Sequence, residues 1–318
     1  MKRCKQRSLM LVAAALLLPF AACVEVGGGP PESESSSESS SAAPGVVIGS
    51  FNFPESQILG EIYEHTLRSK GVPAEVISGV ASREVMEPAL EQGVVDIVPE
   101  YLGTALEFLQ FESDVRASSP QETHSKLERA FSLRGIDVLA YASAQDRNEI
   151  VVTRRIARRH DLDSISDLQR VAPELIFGGP PECPTRPHCL KGLESVYDLH
   201  FKAFHALDAG GPLTVAALEG DEIDVGLMFT TDPQIRRNDF VALRDDRHLQ
   251  PSENVVPVVR REVVERYGSR LVEALDAVTA ELKRSDLIQL NAGVTLEGQD
   301  AEDVAIQWLV EHGLAGDQ

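Results

Sequence analysis

The chain has 318 residues, 50 acidic and 30 basic side chains, a formal net charge of −20 and only 5% aromatic residues. So acidic a chain argues against a nucleic-acid partner, because phosphate contacts require clustered Lys and Arg. The balance fits high solubility and a cationic or zwitterionic ligand, and the length accommodates a globular region of two lobes.

At the N-terminus, Lys2, Arg3, Lys5 and Arg7 precede an apolar run from Leu9 to Ala22. The run is short for a membrane span and ends in small residues, the pattern of an export signal over residues 1–22. Its ending, "FAAC", resembles a bacterial lipobox with Cys23 as the lipidated residue, although Phe20 stands where an aliphatic residue is usual. Residues 23–45 form a tether rich in Ser, Glu, Gly and Pro, which holds too little apolar surface to offset the entropy of ordering. Signal, cysteine, tether and globular domain, in that order, predict an exported lipoprotein held to the extracytoplasmic side of the cell membrane by its lipid.

The globular part alternates apolar runs with helical periodicity and shows no internal repeat, which predicts an α/β fold. "VVIGSF" reads as a strand, Pro54 suits the first turn of a helix, and "ESQILGEIYEHTLRSKG" continues that helix to Gly71. "AEVISG" is a second strand, and Ser82 is placed to cap the helix "REVMEPALEQG". "VDIVPEYLG" is a third strand that runs into a loop. Beyond it, "EIVVT" is a strand, "SISDLQRVA" a short helix, and "ELIFGGP" a strand that ends in a proline-rich loop. "TVAALEGDEIDVGLMF" is a helix followed by a strand, "FVALRDD" and "VVPVVRR" are strands, and the chain from Glu262 is helical. Strand–loop boundaries near Asn148 and Asn254 divide the domain into one lobe of residues 46–148 plus 256–318 and another of 149–255. Two such crossings make a hinge, with a ligand between the lobes at the strand C-terminal ends.

Four cysteines occur. Cys4 leaves with the signal and Cys23 takes the lipid, so Cys183 and Cys189 have only each other. A metal site, a Cys183 thiol with His188 as its base, and a disulfide are the three readings of the pair. Zinc requires more ligands than these two and His188, and an oxidising compartment favours the disulfide. The resulting ring encloses Arg186, flanked by Pro184 and Pro187, and would order that arginine before a ligand arrives. The sequence carries no G-x-S-x-G elbow, no H-E-x-x-H and no P-loop, which argues against an enzyme, a cofactor or a resident metal.

The segments "IGSFNFPESQILGEIY", "EPALEQGVVDIVPEYLGTAL", "SISDL", "FGGPPECPTR", "YDLHF", "EIDVGLMFTTD", "VVPVV" and "LNAGV" occur in an order that resembles a known family. It is that of the extracellular substrate-binding proteins of ABC importers for glycine betaine, choline and related osmoprotectants. The resemblance implies a two-lobed α/β fold of the type II periplasmic-binding-protein kind. It further implies a monomer that captures a quaternary ammonium solute and hands it to a permease with its ATPase subunits. A sensor module for another small polar solute and an exported hydrolase using Cys183 and His188 are the competing readings.

Carried over by the same resemblance, Tyr101 matches a cage aromatic and Thr104 a hydroxyl near the ligand's polar end. Phe229 matches a second ring, with a core position at a strand end as the alternative. Arg186 would grip a carboxylate with Glu182 orienting it. Ser56 lies where a polar ligand contact is expected. Near the crossings, where further rings are expected, the chain has Asn148, Ser252 and Asn254 instead. Phe53 supplies either a ring or the hydrophobic residue that fixes the start of its helix. The expected site is therefore more polar than a full betaine cage and suits a larger zwitterion or a polyol-like solute.

Overall fold

The computed structural model describes residues 45–110 and 119–315. The export signal, Cys23 and all of the tether but Gly45 lie outside the described residues. Two five-stranded mixed sheets organise the chain. The first contains β1 (Val46–Phe51), β2 (Ala74–Ala81), β3 (Ile97–Tyr101) and β4 (Ile136–Val138), joined by a strand from far along the chain, Val255–Arg260. The second contains β5 (Asn148–Thr153), β6 (Ile176–Gly179), β7 (Ala203–Ala206), β8 (Val225–Phe229) and β9 (Phe240–Ala242). With Val255–Arg260 as β10, the orders are β2-β1-β3-β10-β4 and β7-β6-β8-β5-β9. β10 runs antiparallel to β3 and β4, and β5 antiparallel to β8 and β9. The remaining pairings are parallel.

Sequence periodicity explains the layers. The helix Pro54–Ser69 starts with proline at its first turn and buries Ile58, Leu59, Ile62, Tyr63 and Leu67 against the first sheet's core. Each fully buried aliphatic side chain contributes roughly 1.5–3 kcal/mol relative to exposure. The C-terminal helices Ser269–Glu281, Arg284–Thr295 and Ala301–Glu311 add Leu275, Leu290 and Trp308 to the same core. In the second lobe β5 alternates, with Ile150 and Val152 in one core and Val151 in the core of the opposite face. Among the described residues no helix is long and apolar enough to cross a membrane.

Three local expectations change. "VDIVPEYLG" leads from β3 directly into a helix, Leu102–Gln110, and not into a loop. Ser82 occupies the N-cap position, but its hydroxyl donates to Glu84 Oε2 at 2.6 Å, because a charged acceptor lies within reach. Asn148 pairs with Phe229 and so belongs to the second sheet, while Val255 pairs with Tyr101 and belongs to the first. Pairing partners, and not local composition, decide which sheet a boundary residue joins. The two crossing segments are themselves tied together. Gln145 bridges Asn254, the Val255 N–H donates to the Ala144 carbonyl at 3.1 Å, and the Asp146 N–H donates to that of Glu253 at 3.0 Å.

The loop after β6 is closed by a disulfide between Cys183 and Cys189, with Cα atoms 5.2 Å apart. Inside the ring the Arg186 N–H donates to the Cys183 carbonyl at 3.2 Å, and the Cys189 N–H to the Arg186 carbonyl at 3.1 Å. Asn148 and Gln250 each donate a side-chain N–H to the His188 carbonyl at 3.0 Å. Gly192 sits under the ring, where a Cβ would stand 1.8 Å from the Pro187 carbonyl oxygen. Gly192→Ala should therefore destabilise the domain by about 2 kcal/mol or more, read as a lower urea midpoint. An unchanged midpoint would show that the loop yields freely. The Cys183→Ser, Cys189→Ser double variant should lose about 2 kcal/mol in the same titration.

Candidate functional site

A cavity of about 330 Å³ opens where the strands of both sheets end. Phe51 at the end of β1, Asn52 and Phe53 just after it, Tyr101 at the end of β3, Pro180 and Glu182 after β6 and Phe229 at the end of β8 all line it. Asp146 and Glu253, from the two crossings, also line it. Strand C-terminal ends meeting across a crevice are the usual place for a ligand in open α/β sheets.

Five rings reach this space: Phe51, Phe53, Tyr101, Phe108 and Phe229. Phe53 is central, with its centroid 5.2 Å from Phe229, 6.0 Å from Tyr101 and 5.9 Å from Phe51. Phe51 stacks on Phe53, and the Arg83 guanidinium lies 5.3 Å from its centroid. The crossings contribute no ring, as expected, but the cavity is richer in rings than that expectation allowed. Rings absent from the crossings are supplied by Phe53 and by Phe108 on the helix Leu102–Gln110. Thr104, Glu107 and Phe108 share one face of that helix at three- and four-residue spacing, and all three line the cavity.

Buried carboxylates support the polar side of the cavity: Asp146 and Glu253 line it, and Glu55, which does not, holds the Tyr101 that does. The Tyr101 hydroxyl donates to Glu55 Oε1 at 2.7 Å. Glu55 also accepts from the Thr231 hydroxyl at 2.6 Å, across the cleft, and from the Asn291 amide at 2.9 Å. Burial pushes the Glu55 carboxyl above its ordinary range, and these three donors act against that rise. Asp146 accepts from the Thr230 hydroxyl and the Thr231 N–H, both at 3.1 Å. Burial first, and then the neighbouring Glu55, raise it well above the usual carboxylate range.

Glu253 accepts from the N–H groups of Gly103 and Thr104, each at 3.0 Å, and so caps the helix Leu102–Gln110. Thr104 therefore lines the cavity while its hydroxyl leans on Glu253 at 3.5 Å. Burial raises the Glu253 carboxyl to about 7, against the pull of His188 and Arg83.

The second lobe contributes Arg186. Its Nη2 and Nε donate to the Glu84 carboxylate at 2.8 and 3.2 Å, and Nη2 also lies 3.3 Å from Glu182. Glu182 was the expected partner, but Glu84, from the first lobe, makes the closer pair. Both belong to the cavity, as does Asn148, although the Asn148 amide is committed to the His188 carbonyl. His188 is buried, with Nδ1 at 3.0 Å from the Leu249 carbonyl and Nε2 against Glu107.

Two expected contacts lie elsewhere. Ser56 is fully buried and accepts from the Phe51 N–H at 2.9 Å, which fixes the end of β1. Asn254 donates to the Ala142 carbonyl at 2.8 Å and ties the crossings. Neither lines the cavity, and neither does Ser252. The Cys183–His188 dyad is ruled out, because the Cys183 sulfur is bonded to Cys189. Sequence reading missed Phe108, Glu107, Asp146, Glu253 and Glu84. The Thr104–Glu107–Phe108 spacing was the available signal for the first two.

Glu253 yields a pH prediction. Its carboxyl rises from 4.5 in the unfolded chain to about 7 in the fold, so its contribution is full below pH 4.5 and is lost as pH rises through 7. Wild type should lose about 3 kcal/mol relative to Glu253→Gln between pH 4.5 and 8, measured by parallel urea titrations. Parallel curves would refute the raised value.

A family model described as the substrate binding domain of an ABC-type glycine betaine transport system matches residues 44–311. The glycine betaine-binding protein YehZ of Escherichia coli K12 is 29% identical over 280 residues, covering 85% of this chain and 92% of that protein. A glycine-betaine-binding protein of Pseudomonas aeruginosa is also 29% identical, over 282 residues that cover 85% of this chain and 88% of the relative. A solved structure described as a glycine betaine/carnitine/choline ABC transporter superposes with a TM-score of 0.67 at 22% identity, covering 85% of this chain and 99% of that one. The chain belongs to the family of substrate-binding domains of ABC-type glycine betaine transport systems.

Proposed function

We propose that the cleft captures a quaternary-ammonium or related zwitterionic compatible solute and delivers it to the permease and ATPase subunits of an ABC importer. The ring cluster around Phe53 carries this reading. A quaternary ammonium has no proton to donate and is weakly hydrated, so it is held by ring faces at roughly 0.5–2 kcal/mol for each good contact. Phe53, Tyr101, Phe108 and Phe229 offer such faces around one space. That space, about 330 Å³, lies at the small end of ligand pockets and suits a small solute. The two crossings, at Asp146–Asn148 and Glu253–Val255, serve as the hinge between lobes 46–147 plus 255–318 and 148–254. Cys23 anchors the exported protein by its lipid, with the domain working as a monomer on the extracytoplasmic side.

Isothermal titration of the mature domain with choline, glycine betaine and carnitine tests the reading. At least one should bind. Phe53→Leu and Phe229→Leu, which keep apolar volume and remove the ring, should each weaken it by about tenfold. No binding of any of the three would refute the cage.

A further inference from the structure

The feature that the ring cluster leaves unexplained is the state of Arg186. Four basic side chains line the cavity: Arg83, Arg186, His188 and Lys191. Arg83 is held by two 2.8 Å bonds to the buried Glu100, and His188 is set against Glu107. Lys191 is exposed at the rim. Arg186 is the one expected to receive a ligand carboxylate, and Glu84 already grips it bidentately with Glu182 alongside. Glu84 comes from the helix Arg83–Glu91 of the first lobe, whereas Arg186 and Glu182 are on the disulfide loop of the second. Asp146 and Glu253, meanwhile, face the cavity on hydrogen bonds from neutral donors.

We propose that Glu84 is a specificity-determining residue: by occupying Arg186 from the opposite lobe, it turns the cleft toward net-cationic quaternary ammonium compounds and against zwitterions that carry a carboxylate. The proposal rests on the reading of this cleft as a quaternary-ammonium site. A bidentate carboxylate–guanidinium pair is strong and directional. A ligand carboxylate can reach Arg186 only by displacing Glu84, and Glu84 is tethered, so it competes without the entropic cost that a free ligand bears. Glu84 stays available for this at any physiological pH. Burial pushes its carboxyl up, but the bonds from Arg186 and Ser82 prevail and bring it to about 2. A choline-like alcohol asks nothing of Arg186, and its positive charge meets Asp146 and Glu253. A betaine adds a further carboxylate to a cleft already lined by Glu84, Glu107, Asp146, Glu182 and Glu253, in which the Arg186 guanidinium is taken.

The test is isothermal titration of choline and glycine betaine into wild type, Glu84→Gln and Glu84→Ala. Wild type should prefer choline by about tenfold or more, the size of one lost charge-assisted contact. Both variants should gain about tenfold for betaine while choline affinity moves by less than about threefold. Arg186→Ala should abolish the betaine gain when combined with Glu84→Ala. A wild-type preference for betaine, or a choline:betaine ratio that neither variant changes, would overturn the role of Glu84 and leave the cage standing. Binding of neither compound to wild type would overturn both. Glu84 is partly exposed in the first turn of its helix, and circular dichroism of the two variants verifies that the fold is kept.

Discussion

The geometry of the cleft depends on one buried carboxylate, that of Glu253. It lies in the second crossing and accepts from the first-turn N–H groups of the helix Leu102–Gln110. A buried charge is costly unless it is met by donors, and a helix N-terminus supplies them in fixed positions. The same carboxylate thereby sets the direction of a helix that carries Thr104, Glu107 and Phe108 into the cavity, directly after β3 delivers Tyr101. Because its own backbone is laddered to Asp146 of the first crossing, the bond also fixes that helix relative to both hinge segments.

A second carboxylate, Glu55, does the complementary work between the lobes. It receives the hydroxyl of Tyr101 from the first lobe and that of Thr231 from the second, with the Asn291 amide as a third donor. None of these donors carries a charge. With Glu55 raising the cost of ionising Asp146, this side of the cleft floor rests on a pair of acids satisfied by neutral groups. Such a floor is electrostatically incomplete in a way that a bound cation remedies, and the rings above it hold a cation without demanding a hydrogen bond from it. Apolar walls and acidic floor thus act on the same part of a solute.

The layers were legible because they are written in local composition: apolar strand runs, Pro54 at a helix start, helical spacing through Leu67. The lining of the cleft was legible where a side chain is named by its own motif, as for Tyr101, Thr104, Glu182, Arg186 and Phe229. The misreadings share one cause, that polarity and turn residues do not state their partners. "VDIVPEYLG" read as a strand running into a loop. Its Gly103 is a helix residue, required because a Cβ there would stand 2.4 Å from Pro251. With the helix unseen, Phe108 fell outside the site and the cage looked short of rings. Ser56 and Asn254 looked like ligand contacts and satisfy backbone groups instead, which is the commoner use of small polar side chains in a buried turn.

Arg186 shows why the remaining information is tertiary. Its backbone is fixed within the Cys183–Cys189 ring, and its guanidinium by Glu84, 102 positions away in sequence, on the other lobe. The proline-rich ring holds the arginine's backbone in place, so whatever faces its guanidinium decides whether the N–H groups are open to a ligand. A flexible arginine could swing between Glu84 and a solute carboxylate at little cost. A fixed one forces the two acids to compete for the same two N–H groups. The disulfide and Glu84 are therefore parts of one device: the first makes the position of the charge certain, and the second determines whether that charge is open to the solute.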